Sequence, residues 1–399
     1  MAAFAQSNAG DMSPNLDLEP GTGPTDDPFE NTRIIGLRQV RAARRIFDRA
    51  DTRVRGRIDS RARYVDMSAV EVSGRWTPDG EPHRTSPGVI GASMVAGSTE
   101  DGPGLPVPEG VDDPMWPLWQ QLNAEVPEEL ANQQAPKTPL VPSGLVGGTP
   151  NVLPLQVIRL GQLVIVGGPS EFTIVSGLRI RRADAEALGV RLDDVVMQGY
   201  TNGFAQYVTT PEEYDVQNYE GASTLFGRYT LPAYQQEFAR LARSIRRGAE
   251  LADPGPATPP PTATLGLAAP VVADNPGLGT DFGDVETQPE RAYRPGERVT
   301  AVFVSGHPRN DLRRGGTFLE VQRRVDGRWR RVLDDDDWDT RFEWAATDPL
   351  SGQSRATIHW DVARGTRPGA YRIVHRAAAR SVTGQVRQFT GATRAFRVR

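Results

Sequence analysis

Three positions combine a chemically useful side chain with a local sequence that could present it. Ser13 lies in the segment NAGDMSPN, Glu171 follows the segment VIVGGPS, and Tyr207 follows a strand-like segment and precedes Thr210-Pro211. A serine hydroxyl can act as a nucleophile, and a carboxylate can hold a metal ion. These three residues are therefore the first candidates for a functional site.

Each candidate also has a plain structural interpretation. Gly, Asp, Asn and Pro are turn residues, so the segment around Ser13 is also typical of a surface turn. We expect Glu171 at the opening of a helix, where the helix dipole stabilises a carboxylate, but glutamate is common in first turns. Tyr207 could be a core or edge tyrosine. Spacing alone does not separate these alternatives.

Other common motifs are absent. The sequence has no G-x-S-x-G segment, no P-loop and no H-E-x-x-H segment. The acidic run Asp334–Asp337 lacks the spacing and the glycine of an EF-hand, which predicts a solvated loop. Structural or surface roles are expected for the four histidines, which are His83, His307, His359 and His375.

Composition excludes several classes of protein. A length of 399 residues predicts two or three domains. The 46 basic and 50 acidic side chains give a net charge of -4, so there is no global basic field for nucleic acid. The absence of cysteine excludes disulfides, thiolate zinc sites and cysteine nucleophiles. No apolar run reaches the ~18 residues of a membrane span, and this chain carries no signal peptide pattern.

The first 155 residues predict few regular elements. A helix is expected over residues 31–50, with Asn31 as its cap. Strands are expected within residues 54–72, a glycine-rich loop over 91–104, and a long irregular stretch over 101–155. The buried side of the helix is expected to contain Ile34, Leu37, Ile46 and Phe47.

Stronger patterns follow residue 155. The segment LQVIRLGQLVIVGG predicts two strands joined near Leu160-Gly161, and a helix is expected from Ser170 to about Gly189. Residues 195–210 are strand-like, with a turn at Asn202-Gly203. Thr210-Pro211-Glu212-Glu213 is a capping box with proline at the first helical position. A second helix begins at Thr230, and its core-facing stripe is Tyr234, Phe238, Leu241 and Ile245.

A proline-rich segment, PGPATPPPT, divides the chain. Beyond it, several short alternating segments and the Asp326-Gly327 turn predict a β-sandwich of immunoglobulin-like type. The predicted domains are 1–253, a linker over 254–264, and 265–399. The predicted fold class is α+β, with a mixed α/β domain followed by an all-β immunoglobulin-like sandwich.

Several segments together resemble the neutral/alkaline non-lysosomal ceramidase family. They occur in the family's order, cover about residues 2–250, and are NAGDMSPN, GASMVAGSTEDGPG, LGQLVIVGGPSEFT and NGFAQYVTTPEEYDVQNYEGASTLFGRYTLPAY. The predicted β-sandwich agrees with the C-terminal domain of that family.

This resemblance implies a zinc amidohydrolase that splits the amide of ceramide into sphingosine and a fatty acid. It implies that Ser13 is the assigned catalytic serine, that Glu171 and Tyr207 are zinc ligands, and that Tyr219 lies near the substrate amide. Zinc would polarise the carbonyl, and a phenol can donate to the developing oxyanion. Whether Ser13 or a zinc-bound hydroxide attacks stays open at this stage.

One departure from the family is important. The family supplies two zinc histidines upstream of the serine motif, whereas the residues before Ser13 contain no histidine. We therefore expect a C-terminal part of a ceramidase, with an incomplete mixed α/β catalytic domain, whose remaining two zinc ligands lie upstream. Alone, this chain is expected to be inactive and to be poorly folded in its first 250 residues. The complete protein is expected to be secreted or membrane-associated.

Two other interpretations compete with the enzyme fragment. One is a non-catalytic lipid-binding remnant of a ceramidase. The other is a β-sandwich that contacts a membrane surface or a partner, with the aromatic segment MWPLW at residues 115–119 as a lipid contact. A loop anchor packed on the domain is the simpler interpretation of that segment.

Overall fold

The computed structural model describes residues 5–104, 109–110, 126–251, 255, 271–348 and 351–399. The chain divides into two compact units, Met1–Leu265 and Gly266–Arg399. The segment MWPLW and all of the predicted linker except Gly255 lie outside the described residues. The predicted domain limits stay a prediction.

The described part of the first unit contains both helices and strands. Its helices are α1 (Pro28–Arg49), α2 (Ser93–Ala96), α3 (Glu128–Gln133), α4 (Ile174–Leu188), α5 (Pro211–Val216), α6 (Tyr219–Ser223) and α7 (Thr230–Arg247). Its strands are β1 (Ile58–Asp66), β2 (Glu71–Val72), β3 (His83–Arg84), β4 (Ile90–Gly91), β5 (Gly97–Ser98), β6 (Gly102–Pro103), β7 (Pro139–Val141), β8 (Val152–Leu160), β9 (Leu163–Gly167), β10 (Glu171–Phe172), β11 (Val195–Gln198) and β12 (Tyr207–Val208).

The main sheet of this unit has the order β1-β8-β9-β11. Strands β1, β8 and β9 are antiparallel neighbours, and β11 runs parallel to β9. Helix α7 packs against α4, β1 and β8. The predicted apolar stripe of this helix is fully buried and consists of Tyr234, Phe238, Leu241 and Ile245. This confirms that the apolar spacing indicated a core face.

Local capping signals are confirmed. The Thr210 side chain accepts from the Glu213 amide, and the Glu213 side chain accepts from the Thr210 amide. Helix α4 ends at Gly189, whose φ of 71° is left-handed. Within the described residues, every helix is too short or too polar to span a bilayer.

Helix α1 differs from its prediction. It begins at Pro28, and the Asp27 side chain, not Asn31, accepts from the first backbone amides. Asn31 is instead buried and bonded to Thr25. Ile46 and Phe47 are 70% and 80% exposed, so the predicted buried side is wrong there. An apolar stripe is buried only when another element covers it, and no described element covers these two residues.

The second unit is built of strands in its described part. The strands are β13 (Val285–Thr287), β14 (Ala292–Tyr293), β15 (Arg298–Ser305), β16 (Leu319–Val325), β17 (Arg328–Asp334), β18 (Thr340–Asp348), β19 (Gln353–Asp361), β20 (Gly369–Arg380), β21 (Val386–Ala392) and β22 (Phe396–Val398). One sheet has the order β13-β15-β19-β18 and the other β14-β22-β20-β16-β17, with β21 beside β20.

The two sheets share one core. Phe303 and Trp360 come from the first sheet, and Ile373 and Phe396 come from the second, and all four belong to the same buried cluster. The predicted Asp326-Gly327 turn joins β16 to β17, and both residues have positive φ, as a tight hairpin requires. The chain as described is thus a mixed α/β protein with several sheets and few helices.

Candidate functional site

Glu171 and Tyr207 face each other across a short parallel strand pair. They are register partners in β10 and β12, where the Glu171 amide donates to the Gln206 carbonyl over 2.9 Å. Helix α4 begins only at Ile174, with Thr173 as its cap. The expectation that Glu171 opens the helix is therefore wrong, because pairing with β12 extends the chain until Thr173.

Two phenols interact with the Glu171 carboxylate. Burial raises the pKa of Tyr207, and the charge and hydrogen bonding of Glu171 raise it further. Burial also raises the pKa of Tyr200, again with contributions from hydrogen bonding to Glu171 and from its charge. Both phenols therefore stay protonated at neutral pH and can donate hydrogen bonds to this carboxylate.

Tyr219 lies beside this group. It is the first residue of α6, and its ring packs edge-on against the Tyr207 ring with centroids 5.4 Å apart. Burial raises the pKa of the Tyr219 phenol, and the negative charges of Glu171 and Glu220 add to this effect. Tyr219 therefore presents a protonated phenol next to the Glu171–Tyr207 pair.

The loop that carries Ser13 is docked on β10. The Gly10 amide donates to the Phe172 carbonyl over 2.8 Å, and the Asp11 side chain accepts from the Ile174 amide over 2.7 Å. A Cβ added at Gly10 would lie 2.9 Å from the Glu171 carbonyl oxygen. Glycine thus permits the close approach of this loop to the strand that carries Glu171.

Ser13 is held by the turn between β5 and β6. Its hydroxyl donates to the Asp101 carboxylate over 2.5 Å. Asn15 donates to the Glu100 carbonyl over 2.6 Å and to Asp101 over 3.2 Å. The charge of Asp101 also makes a small contribution to the raised pKa of Tyr219, so this carboxylate interacts with both the serine and that phenol.

Further carboxylates surround α6. Burial raises the pKa of Glu220 to about 7, with contributions from the charges of Glu109, Glu100 and Asp11. The Glu109 carboxylate also accepts from the Tyr219 backbone amide. The charge near the start of α6 is therefore strongly negative when all of these groups are ionised.

All four site residues predicted from the sequence lie in this region, whereas Tyr200 and Asp101 were missed. A signal for Tyr200 exists in the backbone, because Tyr200, Asn202 and Gln206 all have positive φ between 53° and 59°. Such angles are uncommon in residues other than glycine and concentrate at functional sites. Asp101 lies in the motif GASMVAGSTEDGPG, but only its contact with Ser13 distinguishes it from Glu100.

The predicted structural roles of the histidines agree with their contacts. His83 pairs with Asp79 over 2.7 Å and stacks on the Tyr229 ring at 3.9 Å. His307, His359 and His375 belong to the second unit. Asp334–Asp337 forms a turn, in which the Asp337 carboxylate accepts from the Asp334 amide.

Two family models together match nearly the whole chain. Residues 1–236 match the model of the N-terminal region of neutral/alkaline non-lysosomal ceramidases, and residues 238–398 match that of the C-terminal region. The chain belongs to the neutral/alkaline non-lysosomal ceramidase family.

Individual ceramidases and their structures are similar over nearly the whole chain. The neutral ceramidases of Pseudomonas aeruginosa and Mycobacterium tuberculosis are 44% and 43% identical over 100% of this chain, which covers 60% and 62% of them. A solved structure described as a ceramidase complexed with C2 is 44% identical, with a TM-score of 0.77 over 99% of this chain and 62% of that one. The crystal structure of the Pseudomonas aeruginosa neutral ceramidase gives a TM-score of 0.73 at 40% identity, over 100% of this chain and 62% of that one. The chain thus spans about 60% of the length of these ceramidases.

The donor set at Glu171 fits part of a zinc site. A carboxylate and a phenol in register offer two oxygen ligands, and a bound cation would lower the pKa of the phenol. Within the described ranges, no group of three or more His, Cys, Asp or Glu side chains is arranged to hold a metal ion. The described residues of this chain therefore offer two candidate oxygen donors, Glu171 and Tyr207, at this position.

Proposed function

We propose that this chain forms the C-terminal part of a zinc-dependent ceramidase, which hydrolyses the amide of ceramide to sphingosine and a fatty acid. The observation that carries the proposal is the in-register pair Glu171–Tyr207, with Tyr219 packed against it. The similarity to named neutral ceramidases supplies the reaction class and the lipid substrate.

In this proposal Glu171 and Tyr207 would hold the zinc ion together with two imidazoles from outside this chain. When bound, zinc supplies a Lewis acid and lowers the pKa of a coordinated water. Tyr219 donates its phenolic hydrogen to the amide carbonyl oxygen as negative charge develops there. Its raised pKa keeps that hydrogen in place at neutral pH.

Ser13 contacts the reacting amide, and Asp101 orients its hydroxyl. A hydroxyl that donates to a carboxylate over 2.5 Å can lose its proton to that carboxylate during attack. As a nucleophile, Ser13 would carry an acyl group during turnover. As a positioning residue, it would bind the amide and carry none. Mass spectrometry of rapidly quenched enzyme separates these roles by the acyl mass on the peptide that contains Ser13.

The zinc site is tested by metal content and ceramide hydrolysis. The 399-residue chain is expected to be inactive and to hold no stoichiometric zinc, whereas the protein extended upstream by the two histidine motifs should bind zinc and turn over. In the extended protein, Glu171→Gln and Tyr207→Phe should lower both readouts. Tyr64→Phe, on β1, is a matched control that should change neither.

Two outcomes would count against this assignment. Zinc binding and ceramide hydrolysis by the 399-residue chain would show that the ligand count is wrong. Ceramide binding by the extended protein without zinc or turnover would instead favour a non-catalytic lipid-binding protein.

We propose further that the second unit is an immunoglobulin-like sandwich and that the complete protein is secreted or membrane-associated. The shared core of its two sheets supports the first part. Fractionation of cells that express the complete protein, followed by detection in medium, membrane and soluble fractions, tests the second part.

A further inference from the structure

A basic groove lies on the first unit, and none of its lining residues belongs to the candidate site. It is formed by the ends of α4 and α7 and by the turn after β2, and it has a volume of about 430 Å³. Its charged and aromatic lining consists of Arg75, Trp76, Glu186, Arg243, Arg246 and Arg247. A second depression shares Arg75, Trp76 and Arg243 and adds Arg240 and Glu237, which form an ion pair over 3.6 Å.

Positive charge dominates the lining. Arg75 forms an ion pair with Glu186 over 2.7 Å. Arg243, Arg246 and Arg247 form no ion pair with any residue in the described part of the chain. The groove therefore contains three guanidinium groups whose charges are not balanced by a neighbouring ion pair.

Asp184 lies on α4 near Arg243 but does not balance that charge. It is fully buried, and neither carboxylate oxygen has a hydrogen-bond partner. Burial raises the pKa of Asp184 well above its usual range, against the opposing effect of Arg243. A protonated Asp184 adds no negative charge to the groove.

The helix dipole accounts for only part of this positive charge. Cations near a helix C-terminus are favourable because they neutralise the free carbonyl groups. Arg246 and Arg247 lie in the last turn of α7, where this effect applies, but Arg243 lies one turn earlier. Two residues of the β1 region already satisfy carbonyl groups at that end of the helix. Arg57 donates to the Ile245 carbonyl, and Arg61 donates to the Ala249 carbonyl over 2.7 Å and 2.9 Å. Arg243, Arg246 and Arg247 lie at i, i+3 and i+4 spacing, where like charges destabilise a helix.

We propose that this groove binds a phosphomonoester anion, either free or as the headgroup of a lipid. Guanidinium groups form paired hydrogen bonds with phosphate oxygens, and several of them converge here on one concave surface. A dianion would also relieve the repulsion among the three arginines of α7. Glu186 limits the affinity, because its carboxylate competes with phosphate for Arg75.

The test measures binding of two probes, at constant ionic strength, by the protein extended upstream by the two histidine motifs. Calorimetry with inorganic phosphate measures the free anion. Co-sedimentation with phosphatidylcholine vesicles, with and without phosphatidic acid, measures the lipid headgroup. The triple variant Arg243→Gln, Arg246→Gln, Arg247→Gln should weaken binding at least about tenfold, because each lost charged hydrogen bond is costly.

A matched control removes the same charge at the same spacing elsewhere. Arg41→Gln, Arg44→Gln, Arg45→Gln changes three arginines of α1 and should leave the dissociation constant within about twofold of the parent. Glu186→Gln should tighten binding about twofold or more. A gain in affinity cannot result from misfolding, so this variant keeps the test independent of folding defects.

The results identify both the binding site and the kind of phosphate that binds there, a free anion or a lipid headgroup. Saturable phosphate binding that follows this variant pattern supports a free anion, and binding only to vesicles with phosphatidic acid in the same pattern supports a lipid headgroup. An equal loss of binding affinity in the two triple variants overturns the proposal, and so does the absence of saturable binding to either probe.

Discussion

Acidification is expected to destabilise the second unit through the imidazole of His375. This residue is fully buried on β20. Its Nδ1 lies 2.9 Å from the Phe318 carbonyl, and its Nε2 lies 3.0 Å from the Ser305 hydroxyl. A carbonyl only accepts, so Nδ1 carries the hydrogen of a neutral imidazole. Three aromatic rings surround it, those of Phe303, Phe342 and Phe389.

The size of the effect follows from the pKa of the folded state. Burial lowers the pKa of His375 from 6.5 to about 4, and the positive charge of Arg313 adds to this effect. Between these values the unfolded chain binds a proton that the folded chain does not. The free energy of unfolding therefore falls as the pH falls from about 6.5 to about 4. At about 1.4 kcal/mol per pKa unit, the total loss is about 3 kcal/mol.

Urea denaturation of the chain at pH 7.5 and pH 4.5 measures this loss, with the transition of the second unit followed through its tryptophan fluorescence. Trp360 is buried in the core of that unit and reports its unfolding. His375→Gln keeps a polar side chain but has no titration in this range, so between these two pH values the pH dependence of the variant should be smaller by about 2–3 kcal/mol.

Proton NMR gives an independent check. The imidazole signal that disappears in His375→Gln should show no titration above about pH 5 in the parent chain. Equal pH dependence in parent and variant, or an imidazole that titrates near pH 6.5, would refute the assignment of a buried neutral histidine.

Three further predictions concern the first unit and are measured in the protein extended upstream by the two histidine motifs. Gly10→Ala should lower the free energy of unfolding of this unit by about 1–3 kcal/mol in urea denaturation, because the new methyl group meets the Glu171 carbonyl. The control Gly36→Ala on α1 places its methyl group where no atom lies within 4 Å, so it should be neutral or stabilising in the same assay. Lys137→Met should cost about 1–3 kcal/mol in thermal unfolding, because the buried Lys137 amine donates to two backbone carbonyls that would lose their donor. Thr210→Ala should cost about 1 kcal/mol by the loss of the capping box, and Thr210→Ser should restore most of it.

Local sequence signals identified much of the first unit. Short sequence segments determine three features of this unit: the capping box at Thr210, the left-handed end of α4 at Gly189, and the buried stripe of α7. The same holds for the Asp326-Gly327 hairpin, because turn chemistry acts between adjacent residues. The resemblance of four segments to the ceramidase family supplied the candidate site residues Ser13, Glu171, Tyr207 and Tyr219.

Tertiary structure decided how those residues meet. The Ser13 hydroxyl donates to the Asp101 carboxylate, which is 88 positions away in the sequence. Glu171 pairs with Tyr207 only because β10 and β12 run side by side. Tyr200 joins them through a loop with positive φ. The exposure of Ile46 and Phe47 on α1 was likewise decided by which elements pack against that helix. Periodicity describes one segment at a time, whereas contacts and burial depend on segments that are distant in sequence and adjacent in space.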